Sequence, residues 1–136
     1  MKDFVRWLDV AAFLSFAALL SYCGHWNPRF MAGMGLAAVG FALWMTARRQ
    51  LGSSFSARPQ AKALVTTGLY ARFRNPIYLF GQLAYLGLAI AWGNVTGFAF
   101  VGFTCVVQIL RIRRERAVLE QAFGEAYRAY LIRTWF

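Results

Sequence analysis

The stretch NPIYLFGQLAYLGLAIAWGNVTGFAFVGFTCVVQIL, residues 75–110, holds no Asp, Glu, Lys or Arg in its 36 positions. Its reading decides the fold. A helix that crosses a bilayer needs about 20 mostly apolar residues, with a lower limit near 17. The stretch is therefore too long for one span and long enough for two. It breaks at Trp92-Gly93-Asn94, where Gly and Asn favour a tight turn. At its start Asn75 is a natural N-cap, and Pro76 is tolerated in the first helical turn, where its missing N–H costs nothing. The expectation is an apolar helical hairpin over about 76–92 and 95–111.

On the N-terminal side two further uncharged runs, Val10–Pro28 and Phe30–Ala47, each fit one span, at about 9–26 and 30–48. Gly24, Asn27 and Pro28 mark a short turn between them. A signal peptide is disfavoured: the first apolar run continues into a second, and no small-x-small cleavage site follows it. The tyrosine in Leu20-Ser21-Tyr22-Cys23 makes a poor lipoprotein site, so the first segment is expected to be a retained helix. Small residues in the second run (Gly33, Gly35, Ala37, Ala38, Gly40) and Gly81, Gly87, Gly97 and Gly102 in the hairpin are expected to let helices pack closely in lipid. A chain of 136 residues is one domain by length, and its 60% apolar content and mean hydropathy of +0.46 leave too little polar surface for a soluble one.

Four spans place both termini on one side together with the loop 52–75. That side carries Lys2 and Arg6, six basic residues from Arg48 to Arg74 and six from Arg111 to Arg133, against Arg29 alone on the other. The excess predicts that both termini and the polar segments are cytoplasmic, in an inner or plasma membrane. The net charge of +10 fits anionic inner-leaflet lipid better than nucleic acid. Beyond Leu110 the helix is expected to leave the membrane as an amphipathic helix over 112–133. Its stripe is Leu119, Ala122, Phe123, Ala126, Tyr127 and Tyr130, and a bend or close backbone approach is expected at Gly124. The architecture predicted is an all-α integral membrane protein with four transmembrane helices and a C-terminal amphipathic helix at the cytoplasmic face.

Chemistry has few residues to use. His25 is the only histidine, Cys23 and Cys105 sit alone in apolar runs, and no metal set, phosphate loop or Ser-His-Asp arrangement is evident. Two polar places remain: the segment from Lys62 to Tyr78, and Arg111 with Glu115, which share one helix face at i, i+4. By themselves, Arg74-Asn75-Pro76 reads equally well as an interfacial anchor with its helix cap and start, and Arg111 with Glu115 reads first as an ordinary interfacial ion pair.

The run Leu64-Val65-Thr66-Thr67-Gly68-Leu69-Tyr70, followed by Arg74-Asn75-Pro76-Ile77-Tyr78, resembles the cofactor-binding segment of the isoprenylcysteine carboxyl methyltransferases and related phospholipid methyltransferases. The tail with Arg111, Glu115, Leu119, Phe123-Gly124, Tyr127 and Tyr130 resembles that family's C-terminal signature. The resemblance covers about residues 52–133. It implies transfer of a methyl group from S-adenosyl-L-methionine to a lipophilic or prenylated acceptor at the membrane. By position it implies that Lys62, Ala63, Leu64, Val65, Tyr70, Asn75, Pro76, Ile77 and Tyr78 line the cofactor, that Glu115 holds it, and that Arg111 faces the acceptor. Two positions depart from the family's pattern: Asn75 stands where a histidine is expected, and Arg116 where a second acid is. The acceptor implied is an isoprenylcysteine-like carboxylate, with lipid N-methylation as the alternative. A small multidrug-type transporter and a catalytically silent membrane partner are the readings from other classes. The transporter is disfavoured because the uncharged runs hold no acid to couple protons.

Overall fold

The computed structural model describes residues 2–23, 26–52 and 64–135, and these are all-helical. Four α-helices follow in order: α1 (Lys2–Cys23), α2 (Pro28–Leu51), α3 (Pro76–Trp92) and α4 (Val95–Arg133). A 3-10 turn at Gly68–Ala71 precedes α3. Among the described residues the only extended pairing is an isolated parallel bridge between Phe73 and Trp135.

Local chemistry sets the helix ends. The Asn27 side chain accepts from the Phe30 N–H at 2.8 Å, and Pro28 occupies the first turn, so α2 begins two residues before its expected start. Gly93 takes φ +68 and donates its N–H to the Ala89 carbonyl, which ends α3. The Asn94 side chain then caps α4 through the Thr96 N–H. Asn75 holds the N-cap position of α3, but its side chain makes no capping bond; its carbonyl instead accepts from the Tyr78 and Leu79 N–H groups.

The tightest packing is between α2 and α3. Gly33, Ala37 and Gly40 meet Ala84, Gly87 and Ala91 almost backbone to backbone. A Cβ on Gly40 would lie 2.6 Å from the Ala84 nitrogen, and one on Gly33 or Gly87 would overlap the facing backbone. Such small-residue contacts hold helices together where lipid removes the hydrophobic drive between them. Gly35 and Gly102, expected to serve the same purpose, face open space. α1 joins through rings: Phe13 stacks on Phe41 at 4.8 Å and meets Trp44 and Tyr85 edge-on. α3 and α4 are tied by polar groups inside the apolar region. Gln82 donates to the Val101 carbonyl at 2.6 Å, and the Thr104 hydroxyl donates to the Gln82 Oε1 at 3.3 Å.

α4 continues beyond Leu110 as expected. Its 39 residues carry the last apolar run and the amphipathic tail without a break at 111–112. At about 1.5 Å per residue it is longer than a bilayer core is thick. The interruption expected at Gly124 is present, with φ +47 and ψ −116, and it is a bend rather than a close approach, since nothing packs near the glycine. Two helices, α2 and α4, are long and apolar enough to cross a membrane; the apolar stretches Val10–Tyr22 and Pro76–Trp92 are shorter.

Candidate functional site

The site is assembled at the end of the bundle where α2 finishes, α3 starts and α4 turns polar. The Gln50 side chain accepts from the Leu69 N–H at 2.8 Å, fixing the 3-10 turn to the end of α2. Gly68 opens that turn at φ +63, a value that favours glycine. The turn buries Tyr70, which is only 6% exposed.

The chain beyond Gly124 then folds over this segment. Tyr130 donates its hydroxyl to the Tyr70 carbonyl at 2.9 Å. The Arg74 guanidinium donates to the Leu131 carbonyl at 2.9 Å. Trp135 gives its N–H to the Arg72 carbonyl and receives that of Arg74. Four bonds thus clamp residues 70–74 beneath the C-terminal segment.

Against this clamp lies the charged cluster. Tyr78, on the first turn of α3, donates to the Glu115 Oε1 at 2.5 Å, and Arg111 Nε donates to the same oxygen at 3.1 Å. The Arg111 guanidinium carbon sits 5.6 Å from the centroid of the Tyr78 ring. Arg111 and Glu115 keep a third and a quarter of their side chains exposed, so the pair itself contributes at most about 1 kcal/mol. Burial, helped by Tyr130 and by the negative Glu115, pushes the Tyr70 hydroxyl above its ordinary pKa. Tyr70 therefore stays a donor, yet its hydroxyl has no hydrogen-bond partner among the described residues. A buried donor left without an acceptor costs about 1–3 kcal/mol, and a ligand oxygen would relieve it.

The residues expected at this site divide into groups. Tyr70, Tyr78, Arg111 and Glu115, far apart in sequence, come together. The Asn75 backbone starts α3 beside them. Pro76 is fully buried in the first turn of α3, and Ile77 packs on the apolar core. Leu64 and Val65 are half-buried ahead of the 3-10 turn, and among the described residues no hydrogen bond ties them to the cluster. Lys62 and Ala63 lie outside the described residues. Arg48, one of the basic residues counted on the side of the termini, is buried, 5.8 Å from the Trp44 ring centroid. Gln50, Tyr130 and the Gln82–Thr104 bridge were not singled out as site residues. A glutamine within an apolar helix and a tyrosine on the tail stripe are the signals that point to them.

The helical bundle thus has two helices long and apolar enough to cross a membrane, and a polar cluster where α2, α3 and α4 meet. Residues 28–126 match the family model described as phospholipid methyltransferase, well over half of the chain, and the protein belongs to that family of membrane methyltransferases. The matched region contains Tyr70, Tyr78, Arg111 and Glu115 and ends just before Tyr127 and Tyr130. No curated protein and no solved structure matches the chain significantly. The cluster fits a sulfonium-bearing cofactor. Glu115 offers negative charge to its cationic groups, tyrosine faces favour a cation by about 0.5–2 kcal/mol, and the orphaned Tyr70 hydroxyl offers a donor to an oxygen.

Proposed function

We propose that the protein crosses the membrane four times, with both termini, the loop 52–75 and the C-terminal helix at the cytoplasmic face. There it transfers the methyl group of S-adenosyl-L-methionine to the carboxylate of an isoprenylcysteine-like amphiphile. The observation that carries this reading is the convergence of Tyr78, Arg111 and Glu115 beside the unsatisfied hydroxyl of buried Tyr70. The two shorter apolar helices complete the four spans: α3 is 17 residues long, at the lower limit for a crossing, and lies packed along α2. Arginine-rich segments at 48–74 and 111–133 support the cytoplasmic assignment.

S-adenosyl-L-methionine supplies an electrophilic methyl group on a cationic sulfur. Glu115 holds the cofactor's positive end, and Tyr78 fixes the Glu115 carboxylate in place. Leu64 and Val65, half-buried ahead of the 3-10 turn, line the cofactor. Arg111, bound to Glu115 and stacked near Tyr78, sits where an anionic acceptor would meet it. A carboxylate is already ionised, so no proton has to be removed and the site needs no general base. Alignment and exclusion of water then supply the rate. This agrees with a cluster built from Arg, Glu and protonated Tyr.

The family's own description favours a second reading, N-methylation of a phospholipid amine. Vesicles containing the protein, methyl-labelled cofactor, an S-prenyl cysteine and phosphatidylethanolamine separate the two. Label released as methanol by mild base marks the carboxyl ester and is the expected result; base-stable label in the phospholipid fraction would establish the second reading instead.

A further inference from the structure

A cavity of about 360 Å³ lies at the opposite end of the bundle from Glu115, with no part in the reading above. Its walls are Phe13 and Phe16 of α1, Tyr85, Leu88 and Trp92 of α3, and Phe100 of α4. They present ring faces and methyl groups almost throughout. Among the described residues, Tyr85 and Thr96 bring the only side-chain hydroxyls to a wall that is otherwise apolar, so hydrocarbon is the chemistry that matches it. A water's share of liquid volume is about 30 Å³, and a methylene is of similar size. That volume corresponds to about a dozen chain carbons, the size of the distal part of one chain.

Helix geometry links the cavity to the site. Tyr85 follows Tyr78 by seven residues, two turns along the same face of α3, about 10 Å. Phe100 precedes Arg111 by eleven residues, three turns along one face of α4. Tyr85 and Phe100 meet edge-on at 5.7 Å across the near end of the cavity. Phe16 and Trp92 meet edge-on at 5.5 Å at the far end. From Tyr78 to Trp92 the α3 axis advances about 21 Å, a length that an extended hexadecyl chain matches.

We propose that this cavity holds the distal part of a single hydrocarbon chain on the methyl acceptor, and that the Phe16–Trp92 contact is the end stop that sets its length. The head group's place at Arg111 rests on the methyltransferase reading; the chain site stands on the cavity alone. The test uses N-acetyl-S-hexadecyl-cysteine carrying a diazirine at its last carbon, with an S-farnesyl counterpart to separate linear from isoprenoid chains. A diazirine-tipped two-chain phosphatidylethanolamine forms the third arm. On illumination, the single-chain probes are expected to label the peptides bearing Phe16, Leu88 and Trp92. Ala12→Phe, which adds a ring from α1 into the cavity, is expected to lose that label while cofactor binding persists. Trp92→Ala, which opens the far end, shifts preference toward longer chains. Label confined to the outward α4 residues Phe103 and Val107, or unchanged in Ala12→Phe, overturns the site. Equal labelling by the phospholipid overturns the single-chain assignment. Cavity label without methyl transfer refutes the proposed reaction and leaves the chain site standing; methyl transfer to a probe that leaves no cavity label refutes the chain site alone.

Discussion

Replacing Tyr130 with phenylalanine removes one oxygen and tests the clamp over the site. That hydroxyl is buried and donates to the Tyr70 carbonyl at 2.9 Å, with a longer contact to the Phe73 carbonyl at 3.5 Å. Its ring is retained, so packing against Tyr127 changes little. The loss is one net hydrogen bond plus a buried carbonyl with a missing donor, together about 1–2 kcal/mol. The effect is local, because the C-terminal segment reaches residues 70–74 through only a few bonds. A change of 1–2 kcal/mol corresponds to about 5–30-fold in an opening equilibrium. The amides that report it are those of Arg74, bound to the Trp135 carbonyl, and Trp135, bound to the Arg72 carbonyl. Hydrogen exchange of the protein in nanodiscs should show these two amides exchanging faster by that factor, with the α2–α3 amides unchanged. Unchanged exchange at Arg74 and Trp135 would refute the clamp. Equal acceleration throughout α2 and α3 would show that Tyr130 supports the whole bundle instead.

Other consequences follow from particular contacts. Gly87→Leu forces a side chain into the Ala37 backbone, and overpacking of about 1–3 kcal/mol or more should lower the thermal midpoint in detergent, whereas Gly102→Leu, with open space around it, should not. Burial, with Tyr127 and against the relief from Arg74, pushes the Tyr130 hydroxyl up to about 12 from the ordinary 10. Its contribution to folding is therefore complete below pH 10 and lost as pH rises toward 12; an alkaline titration should show Tyr130→Phe flattening the loss of stability in that window. Gln82→Leu removes the donor to the Val101 carbonyl and should loosen α3 from α4, at a cost of about 1 kcal/mol. Cross-linking between cysteines placed on the two helices reads that change.

Much of the fold was legible because lipid restricts the chain so tightly. Uncharged runs of span length become helices, and Asn27-Pro28, Asn75-Pro76 and Gly93-Asn94 punctuate them through caps and left-handed backbone. The α2–α3 seam was visible as small residues, but Gly33, Gly40 and Gly87 could not be told from Gly35 and Gly102, since composition does not reveal which face meets a partner. Gly124 announced a bend, and the continuation of α4 beyond Leu110 followed from the helical spacing of the tail stripe. At the site, Tyr70, Tyr78, Arg111 and Glu115 could be named from family spacing. Their meeting, and the backbone clamp through Trp135, depend on tertiary folding that leaves no local pattern. Asn75 shows the same limit: its place at the head of α3 follows from Pro76, whereas the unused side-chain cap does not.

The central claim is that this cluster binds S-adenosyl-L-methionine, and titration calorimetry on the purified protein in nanodiscs tests it most directly. The wild type should bind the cofactor. Glu115→Ala, which removes a charge-assisted contact of about 1.5–3 kcal/mol, should weaken binding by about 10- to 100-fold, and Tyr70→Phe should weaken it less. Absence of binding by the wild type, or equal affinity in Glu115→Ala, would contradict the account.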